Sequence, residues 1–139
     1  MKFKLILITL LLLFSSCFAK TKIKIIEIYD GDTIKAKINQ NEFSIRLTGV
    51  DCFETYDSNR AYKQAHKNNL SIEEVIKQGK IAKKYVKNLY NKSSKNAYFE
   101  FQGIDKYSRA LGILYFDDLN INEELKNQNI CPTYKYLKN

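Results

Sequence analysis

Alternating apolar and polar residues dominate the stretch from residue 23 to residue 47. Such alternation places successive side chains on opposite faces of a β-strand. It recurs in three runs, at 23–28, 34–38 and 43–47. A change of phase between Ile25 and Ile26 predicts a β-bulge in the first run. Turn-forming residues at 30–31 and 39–41 separate the runs, so the pattern predicts an antiparallel meander.

The second half of the chain combines helical and strand patterns. Ser71, with Glu74 three residues later, forms a capping-box signature, and an apolar stripe of helical period follows it. Two alternating runs and a short helical stretch come next, at 97–101, 111–115 and 121–129. Five strands, a long helix between the third and fourth, and a short C-terminal helix predict an α+β fold. Its centre would be a five-stranded barrel of the oligonucleotide/oligosaccharide-binding (OB) type.

The segment from Tyr56 to Asn69 is polar, basic and aromatic, without a clear period, and is therefore predicted as a loop. In it Arg60, Lys63 and Lys67 interleave with tyrosines, a mixture suited to nucleic-acid backbone charge and base stacking. Lys63 and Lys67 are therefore candidate substrate-binding residues. The alternative is an ordinary solvated loop.

Residues 1–19 are typical of a secretory signal peptide. Lys2 and Lys4 precede an apolar run from Leu5 to Phe14, and small residues follow. The run is too short to span a membrane, which takes about 20 residues. Cleavage after Ala19, or lipoprotein processing at Cys17, would leave one domain at 20–139. We therefore expect an exported protein that is periplasmic, extracellular or lipid-anchored to the cell envelope.

The domain that follows is basic, because the whole chain carries a formal net charge of +8 and its leader contributes only two lysines. A basic exported domain indicates a polyanionic partner, either nucleic acid or anionic membrane. The alternative is that the lysines only maintain solubility. Two cysteines, Cys52 and Cys131, remain after leader removal. In an oxidising compartment they could form a disulfide or stay as two separate thiols.

Carboxylates and arginines form the most informative clusters. Asp32, Asp51 and Glu54 offer hard oxygen ligands, and Arg46 and Arg109 offer guanidinium groups that suit a phosphate. A metal ion together with fixed cations can neutralise the charge that develops during phosphodiester cleavage.

The oxygen ligands favour calcium over zinc, since the chain has one histidine, His66, and no paired Cys/His spacing. His66 is interpreted as incidental, because no nucleophile or paired acid accompanies it. The competing interpretation is that Asp30-Gly31-Asp32-Thr33 forms only a turn and that the later acids are solvated.

The spacing of these residues resembles that of the thermonuclease, or staphylococcal-nuclease-like, family. In that family an Asp precedes an Arg by fourteen residues, a second Asp follows the Arg by five, and a Glu comes three later. Asp32, Arg46, Asp51 and Glu54 reproduce each interval. The family's second signature, Asp-Lys-Tyr-Gly-Arg, reads Asp-Lys-Tyr-Ser-Arg at 105–109. The resemblance covers roughly residues 25–136.

The resemblance implies a role for each matching residue. Asp32, Asp51 and the backbone carbonyl of Cys52 would bind Ca2+, and Glu54 would hold the attacking water. Arg46 and Arg109 would bind the phosphate and stabilise its transition state. The remaining positions implied to bind substrate are Lys106, Tyr107 and Tyr134, with Tyr136 as the alternative stacking residue. Members of the family cut DNA and RNA with little sequence preference, so DNA and RNA are the expected partners. We also expect a monomer that needs no obligate protein partner.

Three departures from the family pattern stand out. Phe53 replaces the usual Pro, so the segment that carries Glu54 is expected to be less rigid. Ser108 replaces the usual Gly, which often permits a positive φ. The family's final helix is expected to be missing, with lower stability as the result. In addition, residues 56–69 fall where the family has a mobile basic loop, and here that loop is longer. The fold of the family would also bring Cys131 toward the loop of Cys52.

Two other functions use the same fold class. A noncatalytic nucleic-acid-binding barrel would lack the acids and arginines, which are present here. An oligosaccharide-binding barrel would explain neither the paired arginines nor the segment at 105–109. The sequence therefore predicts an exported calcium-dependent nuclease.

Overall fold

A computed structural model describes residues 19–134 of the chain. Residues 1–18 of the predicted signal peptide, with Cys17, lie outside this range. Residues 135–139, with Tyr136, also lie outside it, and the expectation of a missing final helix depends on them. No helix in the described range is both long enough and apolar enough to cross a membrane.

A closed β-barrel forms the centre of the fold. Its strands are β1 (Lys20–Ile28), β2 (Thr33–Ile38), β3 (Asn41–Leu47), β4 (Ala97–Ile104) and β5 (Ala110–Phe116). Neighbours pair antiparallel in the order β3-β2-β1-β4-β5, and a parallel pairing of β3 with β5 closes the sheet. A two-residue strand, β6 (Leu119–Asn120), adds to the outer edge of β5. The predicted five-stranded barrel is confirmed, and β6 is an addition that the pattern was too short to reveal.

The predicted bulge in β1 is confirmed. The register of β1 against β2 shifts between Ile25 and Glu27, where the apolar alternation changes phase. The shift lets Ile25 and Ile28 both face the core, whereas a regular strand would place residues three apart on opposite faces.

Three helices accompany the barrel: α1 (Asn59–Asn68), α2 (Ile72–Lys92) and α3 (Ile121–Asn127). The capping box predicted for α2 is present, since Ser71 and Glu74 exchange side-chain-to-backbone hydrogen bonds of 2.9 and 3.1 Å. The prediction of a loop at 56–69 was wrong, because α1 lies within it. Its buried face consists of Ala61, Gln64 and Ala65, which are too small or too polar to produce an apolar period.

Local end signals nevertheless mark α1. The Ser58 side chain accepts a hydrogen bond from the amide of Ala61 at 3.1 Å, which caps the first turn. Asn69 adopts a left-handed conformation with φ of 53° and ends the helix. These two residues were the available sequence signals for a helix at this position.

Two hydrophobic clusters hold the fold together. The larger fills the barrel and extends to α2 and α3. The smaller joins both helices of the 59–92 region to the segment after β3, through Phe53, Ala61, Ala65 and Val75. The second cluster therefore fixes α1 against the segment that carries Asp51 and Glu54.

Candidate active site

The candidate site lies where the β1–β2 turn, the end of β3, the following segment and the β4–β5 loop meet. A cleft of about 360 Å³ opens there, and its lining includes Asp32, Arg46, Glu54 and Arg109. Asp51 lies beside it, paired with Arg46. The structure therefore brings together the acids and arginines that the sequence singled out, from elements far apart in the chain.

Arg46 is held rigidly although it carries a charge. Its residue is 6% exposed, and its guanidinium lies 2.6 Å from Oδ2 of Asp32 and 3.1 Å from Oδ1 of Asp51. It also donates to the backbone carbonyls of Leu47 and Val50, each at 3.1 Å. A buried ion pair with its remaining donors satisfied is fixed in position. Arg46 is thus a preorganised positive charge.

Asp32 is a buried carboxyl group that lies between one arginine and a second acid. Burial raises its pKa well above the usual value, Arg46 opposes that rise, and the neighbouring Asp30 adds to it. The backbone amide of Cys52 donates to its Oδ2 at 2.5 Å. Asp30 holds the turn in shape, since its Oδ1 accepts from the amides of Asp32 and Thr33 at 2.9 and 2.7 Å.

Glu54 is partly buried and ion-paired. Burial raises the pKa of its carboxyl, the charge of Asp30 raises it further, and Arg60 counteracts both. Nε of Arg60 lies 2.9 Å from Oε1 of Glu54, while Nη2 of Arg60 contacts Oδ1 of Asp51 at 2.5 Å. Arg60 thus bridges two of the predicted functional carboxylates.

Gln64 fixes the backbone of the same segment. It is 5% exposed, its Oε1 accepts from the amide of Glu54 at 2.9 Å, and its Nε2 donates to the carbonyl of Cys52 at 3.0 Å. The Cys52 carbonyl, a predicted calcium ligand, is therefore already an acceptor in one hydrogen bond. A carbonyl oxygen has a second lone pair, so the contact leaves it one site.

Phe53, Gly31 and Gly79 give close packing around the segment that carries Asp51 and Glu54. Phe53 is buried in the smaller hydrophobic cluster, which supplies by packing a constraint that the family obtains from Pro. Gly79 of α2 lies directly beneath, because a Cβ there would overlap the Glu54 carbonyl oxygen. Gly31 lies against Cys52, whose Sγ would be 2.6 Å from an added Cβ.

A disulfide ties the segment to the C-terminal part of the described chain. Cys52 and Cys131 are joined, with their Cα atoms 4.5 Å apart. The amide of Asp51 donates to the carbonyl of Pro132 at 2.9 Å, and that of Tyr134 donates to the carbonyl of Gly49 at 2.9 Å. The chain after α3 thus runs beside the segment and braces it.

The β4–β5 loop presents Arg109. Oδ1 of Asp105 accepts from the amides of Tyr107 and Arg109 at 2.8 and 3.0 Å, and its Oδ2 accepts from Nε of Arg109 at 2.7 Å. Ser108 has a φ of 61°, the left-handed conformation for which the family's Gly is suited. The loop therefore keeps the shape that a glycine would favour, at the cost of some backbone strain.

Aromatic side chains surround the cleft. Tyr107 is 68% exposed, and its ring lies 5.1 Å from Nζ of Lys106 and 5.4 Å from Cζ of Arg109. Tyr56, one of the tyrosines that interleave with the basic residues of 56–69, also lines the cleft, as does Tyr29. Tyr29 was not singled out from the sequence, and its position next to Asp30 was the available signal.

The other predicted substrate-binding residues lie elsewhere. Lys63 and Lys67 are exposed on α1, one helical turn apart, and Tyr134 lies after α3, where its amide donates to the carbonyl of Gly49. Of the described residues that line the cleft, none is Lys63, Lys67, Lys106 or Tyr134. Their proposed contacts would be made by substrate that extends beyond the cleft.

The donor chemistry fits a divalent cation. Arg46 and Arg60 face a larger set of carboxylates, namely Asp30, Asp32, Asp51 and Glu54. Two negative charges are thus left unmatched, and all the donors are hard oxygens of the kind that calcium prefers. In the part of the chain that the structure describes, no three His, Cys, Asp or Glu side chains are grouped closely enough to form a ready metal site. Arg46 and Arg60 each lie between two of these carboxylates.

Comparison with known proteins adds an independent observation. A family model described as "Staphylococcal nuclease homologue" matches residues 44–139. This span contains Arg46, Asp51, Glu54 and Arg109, and it begins after Asp32.

Two curated relatives are similar to the chain. A protein of Haemophilus influenzae named "Uncharacterized endonuclease" is 29% identical over 137 residues, which cover 95% of this chain and 65% of the relative. An uncharacterized protein of Methanocaldococcus jannaschii is 31% identical over 120 residues, which cover 80% of this chain and 58% of the relative. The chain spans less than two thirds of the length of each.

Proposed function

The chain belongs to the staphylococcal nuclease homologue family, and on that premise we propose that it is an exported, calcium-dependent nuclease. It would hydrolyse phosphodiester bonds of DNA and RNA with little sequence preference. The observation that carries the proposal is the cleft in which Asp32, Arg46, Glu54 and Arg109 meet. That arrangement offers acidic ligands, a base and two phosphate-binding arginines within one site.

Each side chain has a role that its surroundings support. Asp32, Asp51 and the Cys52 carbonyl would hold Ca2+, which supplies charge neutralisation at the phosphoryl group. Glu54, whose pKa is raised by burial, accepts a proton from the attacking water or orients it.

The two arginines differ in how they are held. Arg46 is fixed by backbone carbonyls and acids, whereas Arg109 is oriented by its ion pair with Asp105 and lies over the Tyr107 ring. Both donate to phosphate oxygens as charge builds on them, and donors that are already oriented need no reorganisation at that moment.

Residues around the cleft would bind the parts of the substrate beyond the reacting phosphate. Tyr107 and Tyr56 are exposed beside the arginines and offer rings on which bases of any sequence can stack. Lys63, Lys67 and Lys106 add positive charge for the nucleic-acid backbone. Tyr134 is the proposed stacking residue on the C-terminal side. The protein would act as a monomer, soluble after cleavage at Ala19 or tethered by a lipid at Cys17.

A plasmid-nicking assay tests the proposal. We expect the protein spanning residues 20–139 to nick plasmid DNA in calcium, to lose that activity in EGTA, and to be poorly active in magnesium, which demands a tight octahedron. The alternative is a noncatalytic nucleic-acid-binding barrel, which would bind the plasmid in every condition and cut it in none. Equal rates with and without the chelator would also reject the calcium site.

A further inference from the structure

Arg60 occupies a position in the cleft that the proposed roles do not use. It is the second residue of α1, and its guanidinium joins Oδ1 of Asp51 to Oε1 of Glu54 at 2.5 and 2.9 Å. It also lines the cleft, together with Arg46 and Arg109. A third arginine therefore lies between a proposed calcium ligand and the proposed base.

Arg60 and Arg46 are held in different ways. Arg46 is buried and donates to two backbone carbonyls, so it cannot leave without exposing unsatisfied groups. The Arg60 side chain is 52% exposed, and its contacts in the described range are with the two carboxylates. It can therefore move into solvent or across the cleft once another cation neutralises those carboxylates. Both arginines contact the same oxygen, Oδ1 of Asp51.

A divalent cation at Asp51 would compete directly with Arg60. Two positive groups on one carboxylate lie a few ångströms apart, where like charges repel strongly at the effective dielectric of a protein surface. Of the two arginines on Asp51, Arg60 is the exposed one, so it is the one that yields. Once released, it remains on the rim of a cleft that already holds two phosphate-binding arginines.

We propose that Arg60 is the resident cation of the site and a third phosphate-binding arginine. Without a divalent cation it ties Asp51 to Glu54 and offsets their mutual repulsion. When the cation binds, Arg60 releases Asp51, and its planar guanidinium becomes available to a phosphate oxygen of the substrate. This inference rests on the proposed calcium-dependent nuclease function.

Calcium affinity, measured by titration calorimetry without substrate, tests the first half. Arg60→Gln removes the competing charge and should tighten calcium binding by about 10-fold. Lys87→Gln is the matched control, because Lys87 is an exposed lysine of α2 with no ion pair among the described residues and no part in the proposed site. It should bind calcium as the unaltered protein does. Equal or weaker calcium affinity in Arg60→Gln would overturn the inference.

Kinetics in saturating calcium test the second half. Arg60→Gln should raise KM for DNA several-fold, about the effect of one lost charge-assisted hydrogen bond, whereas Lys87→Gln should leave KM unchanged. A KM equal to that of the unaltered protein would remove Arg60 from the phosphate contacts. Circular dichroism should show that the variant folds, since α1 is anchored by Ser58, Ala61 and Ala65 rather than by Arg60.

The two proposals fail in different ways. If the unaltered protein neither binds calcium nor nicks DNA, the proposed function itself is wrong. If the unaltered protein binds calcium and Arg60→Gln binds it equally, only the inference about Arg60 is overturned.

Discussion

The side chain of Gln64 holds the backbone of Glu54 in place, with its Oε1 accepting from the Glu54 amide at 2.9 Å. Its other end donates to the carbonyl of Cys52. A single buried side chain therefore spans the three-residue stretch that carries a proposed metal ligand and the proposed base. Because Gln64 belongs to α1, this helix controls the geometry of the site from outside the barrel.

Gln64→Leu should damage both stability and catalysis. It would leave two buried backbone groups without partners, which costs about 1–3 kcal/mol for each such group. The matched control is Gln78→Leu, at an exposed position of α2. Urea unfolding should show a loss for Gln64→Leu alone, and kcat should fall with it. Unchanged stability and kcat would mean that the two hydrogen bonds do not hold the segment.

The disulfide should contribute strongly to stability. Cys52 and Cys131 are 79 residues apart in sequence, and closing a loop of that length is worth about 4 kcal/mol in the chain-entropy model. Cys131→Ser should therefore lower the free energy of unfolding substantially and weaken the bracing of Asp51. Intact-mass measurement after denaturing alkylation gives the direct check. Two alkylated thiols without reductant would show that no bridge forms in the isolated protein.

Replacement of Arg46 or Arg109 by Lys should reduce kcat by about 10²-fold or more, the usual effect of losing a transition-state donor. Lysine keeps the charge but lacks the planar fork. Arg109 is the cleaner test, because its side chain is 28% exposed whereas Arg46 is buried among two acids and two backbone carbonyls. Thermal unfolding should be nearly unchanged in Arg109→Lys. A normal kcat in either folded variant would exclude that arginine from catalysis.

Asp105 should make the β4–β5 loop sensitive to acid. Burial raises the pKa of Asp105, but hydrogen bonds from Arg109 and Tyr107 outweigh that effect, so the pKa is lowered on balance. A lowered pKa in the folded state means that the stabilisation is complete above the pKa of the unfolded state and is lost as pH falls through the folded one.

The stability difference between the unaltered protein and Asp105→Asn should therefore be constant near neutral pH and shrink below about pH 4. Denaturant unfolding at several pH values measures it. At neutral pH the variant should also have a lower kcat, because its amide nitrogen cannot accept from Nε of Arg109. A stability difference that does not depend on pH would argue against this role for the carboxylate.

Lys63 and Lys67 should contribute to binding rather than to chemistry. Replacing both by Ala should weaken nucleic-acid affinity and flatten its dependence on salt, since fewer counterions are released. The control is Lys87→Ala, an exposed lysine of α2. A salt slope identical to that of the unaltered protein would leave α1 without a role in binding the backbone.

The barrel was predictable because each of its strands has a local sequence pattern that identifies it. Period-two alternation, the phase change at Ile25 and the capping box at Ser71 each have one structural meaning, and each is confirmed. Helix α1 was not predicted, because its inward face carries Ala61, Gln64 and Ala65, which give no apolar period. Its contacts are with the preceding irregular segment and with α2 rather than with the barrel.

The same reasoning separates the site residues into two groups. Motif spacing pointed to Asp32, Arg46 and Glu54, which the fold does bring to one cleft. Arg60 and Gln64 could not be found in this way, since their importance depends on where α1 docks. The helix docks where Phe53 is buried with Ala61 and Ala65, a packing contact between two segments that no single-segment pattern encodes.

The absence of a side chain at Gly79 sets the rotation of α2 about its own axis. If this helix were rotated by a single residue, a side chain instead of bare backbone would meet the Glu54 carbonyl. The orientation of a 21-residue helix and the position of the segment that carries the proposed base are therefore coupled. Any redesign that grafts another helix onto this scaffold must keep a glycine there, whatever else it changes.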